Sequence, residues 1–173
     1  AINHRNAIYY VEDIIRKEEP FSEWQIRNIH QLILKNIDDD NAGRYRQQNV
    51  LISGATTTPP DYTLLNDKMA QLVDWYNLEA HKLHPIERAA KVHADFVSIH
   101  PFIDGNGRTS RLLMNLELLK AGYPACVITV ENRLSYYEAL DQWMAHGKTK
   151  PFIQLVSEAV LEGFKPYQVV LGI

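Results

Sequence analysis

His100-Pro101-Phe102-Ile103-Asp104-Gly105-Asn106-Gly107-Arg108-Thr109-Ser110-Arg111 lies between two stretches of helical periodicity. Upstream, Pro85 is a favoured first-turn residue, and Ile86, Ala89, Ala90, His93, Phe96 and Val97 recur at helical spacing up to His100. Downstream, Leu112, Leu113, Leu116 and Leu119 recur as far as Lys120, with Gly122 and Pro124 as stop signals. The spacing therefore predicts a helix ending at His100, a tight loop, and a second helix beginning near Arg108.

The same period extends outward in both directions. Ala7, Ile8, Val11, Ile14 and Ile15 form one apolar stripe. Ser22-Glu23-Trp24-Gln25 is a capping-box pattern that precedes Ile26, Ile29, Ile33 and Ile37. Leu65, Met69, Leu72, Val73 and Tyr76 make a further stripe, and helices also fit Leu134 to Ala145 and Pro151 to Glu162. The exception is residues 47–60. There Val50 to Ser53 reads as extended, and Thr56-Thr57-Thr58-Pro59-Pro60 disfavours helix. The expected fold is a compact all-α bundle with a small β-hairpin flap. It forms one domain over residues 1–173, with the loop at 100–111 and a C-terminal helix at about 151–163.

Composition removes several function classes. A formal charge of −3 gives no general reason to expect nucleic-acid binding, which needs a basic face against phosphates. Cys126 is the only cysteine, so neither an internal disulfide nor a cysteine-rich metal site is available. No long apolar run suggests a membrane span, and no signal peptide is evident. A cytoplasmic location is the default expectation, although the chain starts at Ala1 without Met, so an upstream segment carrying an address is allowed for. Asp38-Asp39-Asp40-Asn41 fails as a calcium loop, because its twelfth position is Asn49 where a bidentate Glu is needed.

The central stretch concentrates chemistry suited to a phosphate. Gly105 and Gly107 permit positive φ and close backbone approach, so consecutive N–H groups can face one anion. The helix that follows adds its positive N-terminal end. Arg108 and Arg111 are three apart, on neighbouring positions of one helical face. Asp104 is placed to hold Mg²⁺ against phosphate oxygens, and His100 titrates near neutrality as a base for an attacking hydroxyl. His93, one heptad before His100, reads as a structural or supporting histidine.

These residues resemble the signature of the Fic family, His-Pro-Phe-x-Asp/Glu-Gly-Asn-Gly-Arg followed by a second Arg. The resemblance continues in Gly43-Arg44-Tyr45-Arg46, Val50 to Pro60, His84-Pro85, Leu112-Leu113-Met114-Asn115, Ala121-Gly122-Tyr123-Pro124 and Tyr136-Tyr137. It covers roughly residues 40 to 160 and is nearest to the branch that includes the metazoan Fic AMP-transferases.

The resemblance implies transfer of AMP from ATP to a Ser, Thr or Tyr hydroxyl of a target protein. It casts His100 as the base and Asp104 as the Mg²⁺ ligand. Asn106, with the backbone of Gly105 and Gly107, would hold the α-phosphate. Arg108 and Arg111 would grip the β- and γ-phosphates, and Tyr136 and Tyr137 would line the adenine pocket. One departure is Met144, where this branch usually has an Asn facing the base. Gly107 argues against the Doc-like subgroup, which carries Lys there and transfers the terminal phosphate.

The implied partners are a target protein clamped by the flap and an inhibitory segment or antitoxin outside this chain; the sequence leaves the oligomeric state open, a homodimer among the options. Related proteins restrain themselves with a Ser/Thr-x-x-x-Glu-Gly/Asn helix. No such motif precedes His100, and Ser157 to Glu162-Gly163 has the wrong spacing, so an uninhibited core is expected. Two alternatives stay open, namely hydrolysis of the AMP–protein bond and a catalytically silent nucleotide-binding or adaptor module. The glutamate that hydrolysis would need is not evident in the chain.

Overall fold

The structure is a computed structural model that describes residues 2–172. Seven α-helices are described: α1 (Ile2–Lys17), α2 (Glu23–Leu34), α3 (Leu65–Leu78), α4 (Pro85–Ile99), α5 (Asn106–Lys120), α6 (Arg133–His146) and α7 (Lys150–Leu171). The architecture is all-α, and no β-strand occurs among the described residues. None of these helices is long and apolar enough to cross a membrane.

The helices α4 and α5 form an antiparallel pair whose opposite faces bury different cores. On one side, Val92, Phe96 and Ile99 of α4 and Leu112, Leu113 and Leu116 of α5 pack with α1, α2 and α3. On the other, Ala89, Ala90, Ala94 and Val97 of α4 and Met114 and Leu118 of α5 pack with α6 and α7. A loop joining two helices that are held on both sides has little freedom to move. Both flanks of the 100–105 connection are thereby anchored in packed helices.

Ser22 caps α2 by accepting from the Gln25 N–H at 3.4 Å, as the sequence suggested. The structure differs from the sequence-based expectation in several places. Helix α2 stops at Leu34, leaving Ile37 exposed beyond it. Helix α5 starts at Asn106, two residues before Arg108. Helix α7 runs on through Gly163 and Pro166 to Leu171. Gly163 acts as a contact surface there and not as a stop, since a Cβ would come within 3.1 Å of Pro124 Cγ and 3.3 Å of the Ala125 carbonyl.

The β-hairpin expected at 47–60 is absent. An isolated two-stranded ribbon is marginal in water, and this segment is held by side chains instead. Asn49 closes its neck by donating to Asp61 at 2.8 Å and accepting from the Tyr62 N–H at 2.9 Å. At the tip, Thr56 is caught by Asp141 of α6, through its N–H at 2.7 Å and its hydroxyl at 2.9 and 3.0 Å. The flap is thus an open loop closed across its neck and strapped to the bundle at its tip.

Candidate active site

Helix α4 ends with the His100 N–H donating to the Phe96 carbonyl at 3.0 Å. His100 itself adopts φ 50°, ψ 58°, a left-handed conformation uncommon outside glycine. That twist turns the chain away from the helix axis. The His100 ring lies with Nδ1 3.3 Å from the Val97 carbonyl, which assigns the proton to Nδ1 and leaves Nε2 as the basic nitrogen.

Phe102 then enters the core, fully buried. The Asn106 side chain closes the loop around it, accepting from the Phe102 N–H at 3.0 Å and donating to the Phe102 carbonyl at 2.8 Å. With both ends of its amide used and only 2% exposure, Asn106 shapes the loop through its side chain. Toward an anion it offers its backbone N–H.

Beneath the loop stands His30 of α2, which the sequence reading passed over. Its ring is stacked on Phe102, with centroids 3.6 Å apart and planes within 3°. Nδ1 accepts from the Gly43 N–H at 2.9 Å, so Nε2 carries the proton and donates to the Asp104 carbonyl at 2.8 Å. Burial pushes its pKa down to about 4, which keeps it neutral in this role. The available signal was its place inside the buried stripe of Ile26, Ile29 and Ile33, where a polar residue needs partners. Gly105 follows at φ 82°, and a Cβ there would meet His30 Nε2 at 3.0 Å. This position requires glycine on both counts.

The first backbone bond of α5 is Thr109 N–H to the Gly105 carbonyl at 2.9 Å. The N–H groups of Asn106, Gly107 and Arg108 consequently point off the helix end without intrahelical partners. Gly107 lies in this first turn and does not have positive φ, so its contribution is space above the N–H groups. Arg108 folds back on Asp104, with Nη2 to Oδ2 at 2.8 Å. Asp104 Oδ1 accepts from the Gly105 N–H at 2.6 Å. No cluster of three metal-ligating side chains forms among the described residues. The exposed Asp104 carboxylate nonetheless fits a hard cation whose remaining ligands are phosphate oxygens and water.

Arg111 diverges from Arg108. With Arg133, Tyr136, Tyr137 and the 128–130 segment it lines a cavity of about 230 Å³. Tyr136 is buried with its hydroxyl 2.8 Å from His93 Nε2. Burial raises its pKa to about 12, against the opposing charge of the nearby Arg111. Tyr137 is 52% exposed at the cavity mouth, crossed by the Arg133 guanidinium. Met144 packs against the α6–α7 core.

Arg46 reaches the site from the other side, donating through Nε to the His100 carbonyl at 2.9 Å. Desolvation depresses the His100 pKa first of all; the Val97 carbonyl and Asp104 oppose this, and the Arg46 charge adds to it. The site thus sets a neutral imidazole beside an anion-seeking helix end.

The sequence profile of the Fic/DOC family matches residues 20–118. The chain belongs to this family. The protein adenylyltransferase Fic of Nematostella vectensis is 42% identical over 153 residues, covering 87% of this chain and 35% of that protein. The structure of Fic-1 (residues 134–508) from Caenorhabditis elegans superposes with a TM-score of 0.88 at 33% identity, covering 99% of this chain and 51% of that one. A Fic domain containing signaling protein from Bacteroides thetaiotaomicron gives 0.84 at 31% identity, covering 93% and 67%. This Fic chain thus spans about a third of the length of that curated relative.

Proposed function

We propose that residues 1–173 form one Fic domain that transfers AMP from ATP to a hydroxyl of a target protein. The supporting observation is the join of α4 to α5, where a free imidazole nitrogen and an open helix N-terminus share one short, fully buttressed loop. His100 takes the hydroxyl proton as the oxygen attacks the α-phosphorus, and pyrophosphate leaves. The N–H groups of Asn106, Gly107 and Arg108 face the phosphates as charge builds on them. Arg108 is positioned to exchange Asp104 for the β-phosphate, and Arg111 lies on the cavity side for the γ-phosphate. Tyr136 and Tyr137 make the wall against which the adenine rests. Asp104 would hold a Mg²⁺ that enters with ATP, and the ion would supply neutralisation of phosphate charge. The decisive experiment is incubation with labelled ATP and whole lysate, followed by mass spectrometry of the modified bands.

Two predictions follow from the seats of metal and target. Asp104→Ala should weaken productive Mg·ATP binding and flatten the dependence of AMP transfer on magnesium; a dependence identical to wild type removes Asp104 from the metal role. The flap offers main chain to the target, since the backbone of Val50 and Leu51 makes no hydrogen bond among the described residues and Leu51 is 80% exposed. Leu51→Pro, which deletes a donor, should reduce labelling of lysate proteins while leaving ATP affinity intact. Undiminished labelling would discard strand-like docking.

A third prediction concerns restraint. Arg111 forms no ion pair among the described residues, and Glu162 instead pairs with Lys165 and lines the α6–α7 groove. Glu162→Gly should therefore leave autoAMPylation unchanged. A gain of activity would place the inhibitor in α7.

A further inference from the structure

Both ends of the flap and the carbonyl of His100 converge on a single guanidinium. Arg46 donates through Nη1 to the Gln48 carbonyl at 2.9 Å, through Nη2 to the Pro60 carbonyl at 2.6 Å, and through Nε to the His100 carbonyl at 2.9 Å. Its backbone N–H adds a bond to the Pro101 carbonyl at 2.9 Å. The residue is 3% exposed and forms no ion pair with a carboxylate among the described residues. A buried cation satisfied only by backbone oxygens carries a desolvation cost that a neutral side chain would avoid.

The guanidinium is planar and its N–H directions are fixed relative to one another. The three carbonyls can be satisfied together only when the flap neck and the His100 backbone hold one relative position. The His100 ring hangs from the same left-handed residue whose carbonyl Arg46 holds. A flap displaced at Gln48 or Pro60 would therefore pull on Arg46 and rotate the peptide that aims Nε2.

We propose that Arg46 is a positioning residue that couples the seat of the target segment to the base, so that His100 is aimed when the flap is seated. This rests on the reading of His100 as the base. The charge has a second consequence. The charged groups facing His100 are Arg46, from the flap-neck segment, and Asp104, from its own loop, while α4 presents the Val97 carbonyl. Arg46 opposes protonation of the ring, which keeps the base ready.

The test compares Arg46→Gln and Arg46→Lys with wild type and His100→Ala. It measures AMP incorporation from labelled ATP, binding of a fluorescent ATP analogue, thermal stability, and the His100 imidazole titration by NMR. Both Arg46 variants should bind the analogue as wild type does, because Arg46 lies outside the phosphate seat. In Arg46→Gln the transfer rate should fall on the order of 10²-fold, the scale of a misaimed catalytic group, and His100 should titrate at higher pH. Arg46→Lys keeps the charge without the fork, so it should lose rate with the titration in place.

A folded Arg46→Gln with wild-type rate and titration overturns the proposal. If that variant does not fold, Arg46→Lys decides, and a wild-type rate there overturns it equally. If His100→Ala transfers AMP as well as wild type, the reading of the base fails and the coupling fails with it. The NMR titration then reports separately whether Arg46 controls the ring.

Discussion

With His100 replaced by alanine, AMP transfer is expected to fall by about 10²–10⁴-fold, the range for loss of a general base, while ATP binding persists. In the proposed mechanism the phosphates sit at the N-terminus of α5, and none of the N–H donors there belongs to His100. Titration provides the companion measurement. Because burial and Arg46 depress the His100 pKa, the neutral base survives below the ordinary imidazole value of about 6.5. The rate should hold as pH falls past that value and decline only as pH passes through the lower, folded-state pKa. A kcat/KM profile whose acidic limb lies above the ordinary value would refute the assigned environment. Wild-type transfer by His100→Ala would refute the role itself.

Phe102→Ala carries the second large effect. The ring is fully buried, stacked on His30 at 3.6 Å, and tilted against Tyr45 at 5.5 Å and Phe96 at 6.1 Å. Removing such a ring typically costs about 3–5 kcal/mol through lost transfer energy and the cavity left behind. For a chain of this size that corresponds to a fall in Tm of roughly 10 °C. The loss should reach the site as well, because the Phe102 backbone is what Asn106 clasps and its ring is what holds His30 under Gly105. AMP transfer measured well below the lowered Tm should still be reduced. Phe102→Leu, which refills part of the volume, should recover stability ahead of activity. Full activity in a destabilised Phe102→Ala would mean that the loop does not depend on its buttress.

Much of the helical core was legible because its cause is local. Pro85 opens α4 and Gly122 follows α5, and the apolar stripe of α4 is largely buried. Leu112, Leu113 and Leu116 of α5 are buried as their spacing suggests, whereas Leu119 is only partly buried and Met114 and Leu118 fill the second half-core. Failures came where a local rule met a tertiary contact. Helix α7 passes its expected end near residue 163, with Gly163 packed against Pro124, and continues to Leu171. The Val50 to Ser53 run has β propensity but no partner strand. The flap consequently takes its shape from Asn49, Arg46 and Asp141.

The helical class and the position of the candidate loop are legible in local sequence. Helical period, stop signals and the dense run from His100 to Arg111 are properties of neighbouring residues, and they need no partner from elsewhere in the chain. How that loop is held, and which of its groups stay free, follows from the packing of distant residues. His30 lies 74 positions from Asp104 and Arg46 lies 54 from His100, separations at which sequence carries no periodic signal. The same packing turned the Asn106 amide inward and sent Arg108 and Arg111 to different sides. A buried polar group must find its hydrogen-bond partner wherever the fold supplies one, so these roles appear only once the helices have packed.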